Sequence, residues 1–144
     1  MEDTDFYGVY IVDAYDLKVE ELYKIIKENT KYLDNIKKEE IKDIKVNYYK
    51  EIVVLLKDGR VYLDGIEQYS NIKEIIFMSG VNIFGISNDN QILAITGSDN
   101  NTRFMTNNNY KYKKIIYTPL VIVGLTYDNE VKMYGCMLDF AINY

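Results

Sequence analysis

The residues best suited to contact a partner lie between 98 and 111. Arg103 and Phe104 are adjacent there, and Tyr110 and Lys111 end the same polar segment. An arginine flanked by aromatic residues is the kind of anchor that protein interfaces favour, because each buries a large area at one point. We therefore predict that Arg103, Phe104, Tyr110 and Lys111 bind a partner. The alternative for this segment is a mobile polar loop without a ligand.

The chain offers few residues suited to catalysis or to metal binding, because it contains no histidine. The usual general base, the usual zinc ligand and every Ser-His or Cys-His pair are therefore absent. The adjacent carboxylates Glu20-Glu21 and Glu39-Glu40 would diverge by about 100° on a helix, which favours a solvated face. Asp89-Asn90 and residues 99–101 lack the spacing of a calcium loop and are typical of turns. We predict no catalytic residue, no metal site and no cofactor.

A small basic and aromatic cluster begins at Tyr110 and contains Lys111, Tyr112, Lys113 and Lys114. Such a cluster can contact phosphates or stack on bases. Strict alternation along a strand, however, would put Tyr112 and Lys114 on one face and Lys111 and Lys113 on the other. The charge would then be divided between two faces, so nucleic-acid binding is not expected.

Composition and charge argue against non-specific binding of nucleic acid or anionic membranes, although a local basic patch is possible. The 144 residues carry a formal net charge of -5, whereas nucleic acids and anionic lipids attract basic surfaces. No apolar run reaches the roughly 18 residues of a membrane span, and the acidic start at Glu2 and Asp3 is unlike a signal peptide. The single Cys136 is predicted to be a buried thiol. We expect a cytoplasmic protein, and the wealth of Lys, Asn, Ile and Tyr indicates an AT-rich genome, bacterial or of a large DNA virus.

The first forty residues predict a strand followed by a helix. Residues 6–12 are rich in β-branched and aromatic residues, which favours a strand. Leu22, Ile25 and Ile26 then fall at helical spacing and predict an amphipathic helix over about 17–30, with Asp16 as its N-cap. A second short turn is predicted near 36–40.

From residue 41 onward the sequence repeats one β unit three times, over 41–65, 72–97 and 112–135. Each unit has an apolar lead-in, a β segment, a turn pair and a second β segment, and so offers three strands. The turn pairs are Asp58-Gly59, Asp89-Asn90 and Asp128-Asn129. Such pairs suit a two-residue type I′ turn, which needs positive φ at both positions. That turn predicts Leu56 opposite Val61 in the first unit.

The unit resembles the RCC1-like β-propeller repeat. In that family a lead-in strand precedes a hairpin with Asp-Gly at its tip and a closing aromatic-Gly pair. The matching residues are Leu55, Asp58, Gly59, Val61, Tyr62 and Gly65 in the first copy, Ile86, Asp89 and Ile92 in the second, and Leu125, Asp128, Val131, Tyr134 and Gly135 in the third. The resemblance covers residues 41–135 and implies a platform for binding.

The chain departs from that family in repeat number and spacing. The Asp residues at the hairpin tips are 31 and then 39 residues apart, which is shorter than the family's repeat, and three units are too few for its seven-bladed ring. Three architectures remain open: a partial, open stack, a three-fold β-prism or trefoil-like body, and a propeller-like ring completed by oligomerisation.

These patterns together predict a mainly β protein with one N-terminal α-helix, in a single domain over 1–144. Residues 1–40 would form a strand-plus-helix cap, and 136–144 a C-terminal strand or tail. The predicted function is a non-catalytic protein-interaction module that binds a protein partner through the loops between repeats. Binding of carbohydrate or another small ligand by exposed tyrosines is the alternative, an enzyme of unrecognised type is a distant third, and a homo-oligomer remains open.

Overall fold

The computed structural model describes residues 18–78, 82–96, 111–118 and 121–135. These residues form one α-helix, a short 3₁₀ helix over Lys38–Glu40, and ten strands. The elements are α1 (Val19–Asn29), β1 (Ile41–Val46), β2 (Ile52–Leu56), β3 (Val61–Leu63), β4 (Ile66–Tyr69), β5 (Ile72–Met78), β6 (Asn82–Ser87), β7 (Ile92–Ala94), β8 (Tyr112–Tyr117), β9 (Val121–Thr126) and β10 (Val131–Gly135). The prediction of a mainly β protein with one N-terminal helix is confirmed. The strand predicted over 6–12, the tail 136–144 and Cys136 lie outside the described residues.

The strands form three antiparallel sheets, and each sheet follows the order of the chain: β1-β2-β3-β4, β5-β6-β7 and β8-β9-β10. Each sheet contains one of the predicted hairpins, preceded by its lead-in strand. The hairpins are β2–β3, β6–β7 and β9–β10. The chain divides into two compact units between Ile72 and Lys73. From here on, 'first unit' and 'second unit' mean these two parts of the chain, and each three-stranded β unit of the sequence is called a repeat. The assignment of residues 1–144 to one domain stays a prediction.

The helix α1 packs one apolar face into the first unit. Leu22 and Ile26 are buried in one cluster with β1 and β2, together with Leu33 and Ile36 from the segment that follows. The helix is shorter than predicted, because Lys18 rather than Asp16 occupies the N-cap position and makes no side-chain cap hydrogen bond. At the other end Thr30 leaves helical geometry, and both its backbone N–H and its hydroxyl donate to the Ile26 carbonyl.

The hairpin loops contain three residues, so the predicted two-residue type I′ turn is wrong. In the first hairpin Leu55, not Leu56, lies opposite Val61, and the Leu56 N–H donates to the Arg60 carbonyl at 2.8 Å. Only the last loop residue has positive φ, 96° at Gly59. A hairpin of this kind pairs a type I turn with one left-handed residue, which closes the loop as a bulge.

The other two hairpins have the same register, one residue away from the predicted one. Ile86 pairs with Ile92, and Leu125 pairs with Val131. The last loop residue again has positive φ, 60° at Asn90 and 66° at Asn129. Asn tolerates this conformation better than other residues with a side chain, so an Asp-Asn pair forms the same loop as Asp-Gly.

In the second and third hairpins a buried polar residue before the loop supports the turn. The Ser87 hydroxyl accepts a hydrogen bond from the Gln91 N–H at 3.0 Å, and the Thr126 hydroxyl accepts one from the Glu130 N–H at 2.9 Å. The first hairpin has Leu56 at this position, and there Asp58 Oδ1 within the loop accepts the Arg60 N–H at 3.1 Å. These bonds satisfy the N–H of the residue that follows each loop, and they give the buried Ser87 and Thr126 hydroxyls a hydrogen-bond partner.

The core of the second unit contains a tyrosine packed over a glycine. Tyr112 is fully buried, in one cluster with Phe84, Ile92 and Ile122. A Cβ atom added to Gly124 on the neighbouring strand would lie 2.5 Å from two carbon atoms of the Tyr112 ring. The ring therefore occupies the space that a side chain at this position would need.

Gly124→Ala is expected to destabilise the protein. Overpacking a core costs about 1–3 kcal/mol, and alanine recovers only about 0.5–1 kcal/mol of that through its lower backbone entropy in a strand. We expect a net loss of about 1–2 kcal/mol in the free energy of unfolding, measured by urea denaturation. Ile116→Ala is the control, because Ile116 is 58% exposed on β8 and should change stability by less than about 0.5 kcal/mol. Equal stabilities of the two variants would contradict the packing described for Tyr112.

The turn between β3 and β4 contains an unusual carboxylate, Asp64. Its Oδ1 accepts the backbone N–H of Ile52 at 2.8 Å, and its φ is 48°. Burial raises the pKa of this carboxyl, the Ile52 hydrogen bond lowers it, and the nearby Glu51 adds to the rise. Because the folded pKa lies above the unfolded one, ionisation of Asp64 opposes folding as the pH rises through the folded pKa.

Asp64→Asn is expected to remove that opposition while keeping the oxygen that accepts from Ile52. The difference in the free energy of unfolding, variant minus wild type, should increase as the pH rises from about 4 to about 7, because only the wild type has a carboxyl group at position 64 that ionises. Urea denaturation at several pH values measures the difference. Asp64→Ala is the matched control, since it lacks both charge and acceptor and should be less stable than Asp64→Asn at every pH. A constant difference between wild type and Asp64→Asn would refute the raised pKa.

Candidate partner-binding site

The three lead-in strands share a pattern that sequence reasoning used only in part. An apolar residue is followed by lysine, a second charged residue and isoleucine. The three copies are Ile41-Lys42-Asp43-Ile44, Ile72-Lys73-Glu74-Ile75 and Tyr112-Lys113-Lys114-Ile115. In β1 and in β8 the pairing register shifts between the first and third residues of the pattern. One extra residue is thus inserted there, and strict alternation is interrupted.

The interruption in β8 brings two lysines to the same surface. Tyr112 pairs with Thr126 and Lys114 with the next residue, Leu125, so Lys113 is the extra residue. Tyr112 is buried whereas Lys113 and Lys114 are both exposed. The expectation that Tyr112 and Lys114 share a face, and that the charge is therefore divided, is wrong because it assumed a regular strand.

These lysines line a cleft within the second unit, with a volume of about 290 Å³. Its walls come from β5, β6, the loop of the second hairpin, and β8. The lining residues are Lys73, Glu74, Ile86, Asn90, Lys113, Lys114, Ile115 and Tyr117. Three lysines thus face one carboxylate, in a chain whose net charge is -5.

Hydrogen bonds hold the walls of the cleft in place. Lys73 Nζ donates to Asn90 Oδ1 at 2.6 Å, and the Asn90 carbonyl accepts the backbone N–H of Tyr112 at 2.8 Å. The hairpin loop is therefore bonded to both β5 and β8. On the opposite wall the Tyr117 hydroxyl donates to Glu74 Oε2. The single carboxylate of the cleft is therefore already hydrogen-bonded.

The positive charge of the cleft is only partly compensated. Within the described parts of the chain, neither Lys113 nor Lys114 has a carboxylate within the 4.0 Å of an ion pair, in contrast to Lys45, Lys27 and Lys132 elsewhere. Clustered like charges at a concave surface raise the local concentration of oppositely charged groups. The arrangement can therefore bind carboxylates or phosphates, while Ile115 and the Tyr117 ring offer apolar contact.

Only one of the predicted binding residues can be placed. Lys111 is exposed, directly before β8 and its two exposed lysines. Arg103, Phe104 and Tyr110 lie outside the described residues. Lys73 and Asn90 were missed, although the repeated lysine of the lead-in pattern marks the first of them.

Other surfaces are less suited to a specific ligand. A groove of about 480 Å³ beside α1 is lined by Tyr23 and by charges of both signs, namely Glu20, Glu21, Glu28, Lys24, Lys27 and Lys38. These charges compensate one another, as the Lys38–Glu20 pair at 4.0 Å illustrates. The groove has the character of a solvated helix face.

The exposed tyrosines bear on the carbohydrate alternative. Tyr48 and Tyr49, on the loop between β1 and β2, are 64% and 65% exposed. Their rings meet edge to face, with centroids 5.9 Å apart and an interplanar angle of 84°. Two perpendicular rings form no common flat surface on which a sugar ring could stack, so this pair does not favour carbohydrate.

Residues 18–78, 82–96, 111–118 and 121–135 show neither a metal-binding cluster nor a helix suited to crossing a membrane. No group of three or more Cys, Asp or Glu side chains there is arranged to hold a metal ion. No helix in these ranges has the length and apolar character to cross a bilayer.

Comparison with protein-family models, with curated proteins and with solved structures found no match to this chain.

Proposed function

We propose that this protein is a non-catalytic protein-interaction module built from RCC1-like β repeats, and that its basic cleft binds an acidic segment of a partner protein. The observation that carries the proposal is the side-by-side exposure of Lys113 and Lys114 across from Lys73. The three lead-in strands and their hairpins support the repeat part of the proposal.

The cleft suits a short acidic peptide better than a nucleic acid. Electrostatic attraction is screened beyond about 8 Å at physiological ionic strength, so a peptide seated in the cleft responds mainly to its lysines. A nucleic acid carries a phosphate every few ångströms and extends past the cleft over a surface with excess carboxylates. A polypeptide can also place an apolar side chain on Ile115 or Tyr117, as specific interfaces require.

Reversing the two exposed lysines is expected to abolish most of this binding. Lys113→Glu/Lys114→Glu should weaken binding of a fluorescein-labelled peptide of alternating Glu and Ala by about tenfold or more, since two attractive pairs at about 0.2–1 kcal/mol each become repulsive. Fluorescence anisotropy measures the affinity, which should also fall as salt is added.

The matched control is Lys31→Glu/Lys37→Glu, which changes the net charge equally at exposed positions of the first unit. It should keep the affinity within about twofold, because screening removes the effect of distant charges. Equal losses in the two double variants would show a general charge effect and reject the cleft. A labelled single-stranded oligonucleotide that bound the wild type more tightly than the peptide did would reject the protein partner.

A further inference from the structure

Each of the first two hairpin loops makes the same contact with the lead-in strand that follows it. The carbonyl of the last loop residue accepts the N–H of the first lead-in residue: Gly59 from Ile72 at 3.0 Å, and Asn90 from Tyr112 at 2.8 Å. Since these two residues have positive φ, the special conformation of the loop and the start of the next repeat are linked.

The third loop has the same conformation but not the same contact. Asn129 occupies the equivalent position with φ of 66°. Among residues 18–78, 82–96, 111–118 and 121–135, no backbone N–H donates to its carbonyl. An acceptor that the first two repeats use is thus available in the third.

Exposure at equivalent positions differs in the same sense. The second residue after each loop is 0% exposed at Val61 and 2% exposed at Ile92, but 51% exposed at Val131. Ile92 lies in one buried cluster with Tyr112, the residue that begins the following lead-in. Tyr127, at the start of the third loop, is 68% exposed. The third repeat therefore exposes the apolar position that in the second repeat is buried in one cluster with a lead-in residue.

The first lead-in strand, at the start of the repeat series, has no N–H group free for the equivalent hydrogen bond. The N–H of Ile41, the first lead-in residue, donates to the Lys38 carbonyl within the 3₁₀ turn. The next carbonyl available, that of Glu40, accepts the N–H of Lys57 at 2.8 Å. The first lead-in strand of a second copy would therefore have no free N–H at Ile41 to donate to the Asn129 carbonyl. For this reason a second copy is not the ligand expected at the surface of the third repeat.

We propose that the surface formed by Tyr127, Asn129 and Val131 docks an extended segment of a partner protein in which an apolar residue precedes lysine. The apolar side chain buries Val131 in the way that Ile92 is buried in one cluster with Tyr112, and the N–H of the same residue donates to the Asn129 carbonyl. The lysine that follows meets the exposed carboxylate of Asp128, next to Glu130, whose carboxylate pairs with Lys132 at 3.7 Å. This interaction goes beyond the acidic-peptide cleft, because it uses another surface and a ligand of opposite charge.

The test uses a synthetic peptide with the sequence of residues 111–118, which contains the third lead-in, and the 144-residue protein labelled with ¹⁵N. Titration should shift the amide resonances of Tyr127, Asn129 and Val131 in a saturable way. A peptide of the same composition in scrambled order should bind at least about fivefold more weakly. Perturbation confined to other residues, or equal affinity for both peptides, would overturn the proposal.

Val131→Asp is expected to weaken binding of the peptide about tenfold, because it places a charge where the apolar residue must lie. Ile66→Asp is the matched control, since Ile66 is 63% exposed on β4, and it should keep the wild-type affinity. Lys113→Glu/Lys114→Glu should also keep it, which separates this proposal from the acidic-peptide cleft. Equal effects of Val131→Asp and Ile66→Asp would overturn the docking surface.

Two other occupants give distinct results, and each would overturn docking of a partner. A second copy would appear as a mass that rises with concentration in sedimentation experiments and that returns to the monomer with Val131→Asp. The chain's own C-terminal residues would appear as wild-type protein that does not bind the peptide, with binding gained by Phe140→Asp/Ile142→Asp.

Discussion

The positive φ of the last residue in each hairpin loop is the constraint on which most of the repeat structure depends. Gly59, Asn90 and Asn129 meet it with φ of 96°, 60° and 66°. This conformation closes a three-residue loop, and loop length fixes the register of the two strands, so it also decides which side chains enter the core. In the first two repeats it further aims a carbonyl at the N–H of the next lead-in strand. A local backbone choice thus links each hairpin to the start of its successor.

Interrupted alternation in the lead-in strand links the same architecture to the candidate site. Tyr112 must be buried because its ring fills the space beside Gly124. With Tyr112 fixed inward, an extra residue before Ile115 is what lets two successive lysines reach solvent. The basic cleft is therefore a consequence of how the third sheet packs its core.

The sequence predicts the elements better than their connections, for physical reasons. Periodic apolar residues such as Leu22 and Ile26 mark the helix, because one face must be buried. The hairpins are visible because Asp, Asn and Gly favour turns. Their register was mispredicted, since Asp-Gly and Asp-Asn suit a type I′ turn and a type I turn with one left-handed residue equally well. What favours the second is a side-chain oxygen that accepts the N–H of the residue after the loop. This oxygen is Asp58 Oδ1 in the first hairpin and the buried hydroxyl of Ser87 or Thr126 in the others. The cleft could be anticipated only as a basic cluster, because Lys73 and Lys113 are brought together by packing rather than by spacing.

Internal compensation of charge explains why the first and third loops differ as binding surfaces. After the first loop, Arg60 pairs with Asp58 at 2.9 Å, with Glu67 at 3.5 Å and with Glu40 at 3.7 Å. The Arg60 backbone N–H, helped by its guanidinium, lowers the pKa of Asp58, so this carboxylate is already satisfied. The third loop has Glu130 in place of Arg60, and Asp128 gains no such cation among the described residues. With Glu130 in place of Arg60 and paired with Lys132 at 3.7 Å, the Asp128 carboxylate is left exposed beside the exposed apolar residue Val131.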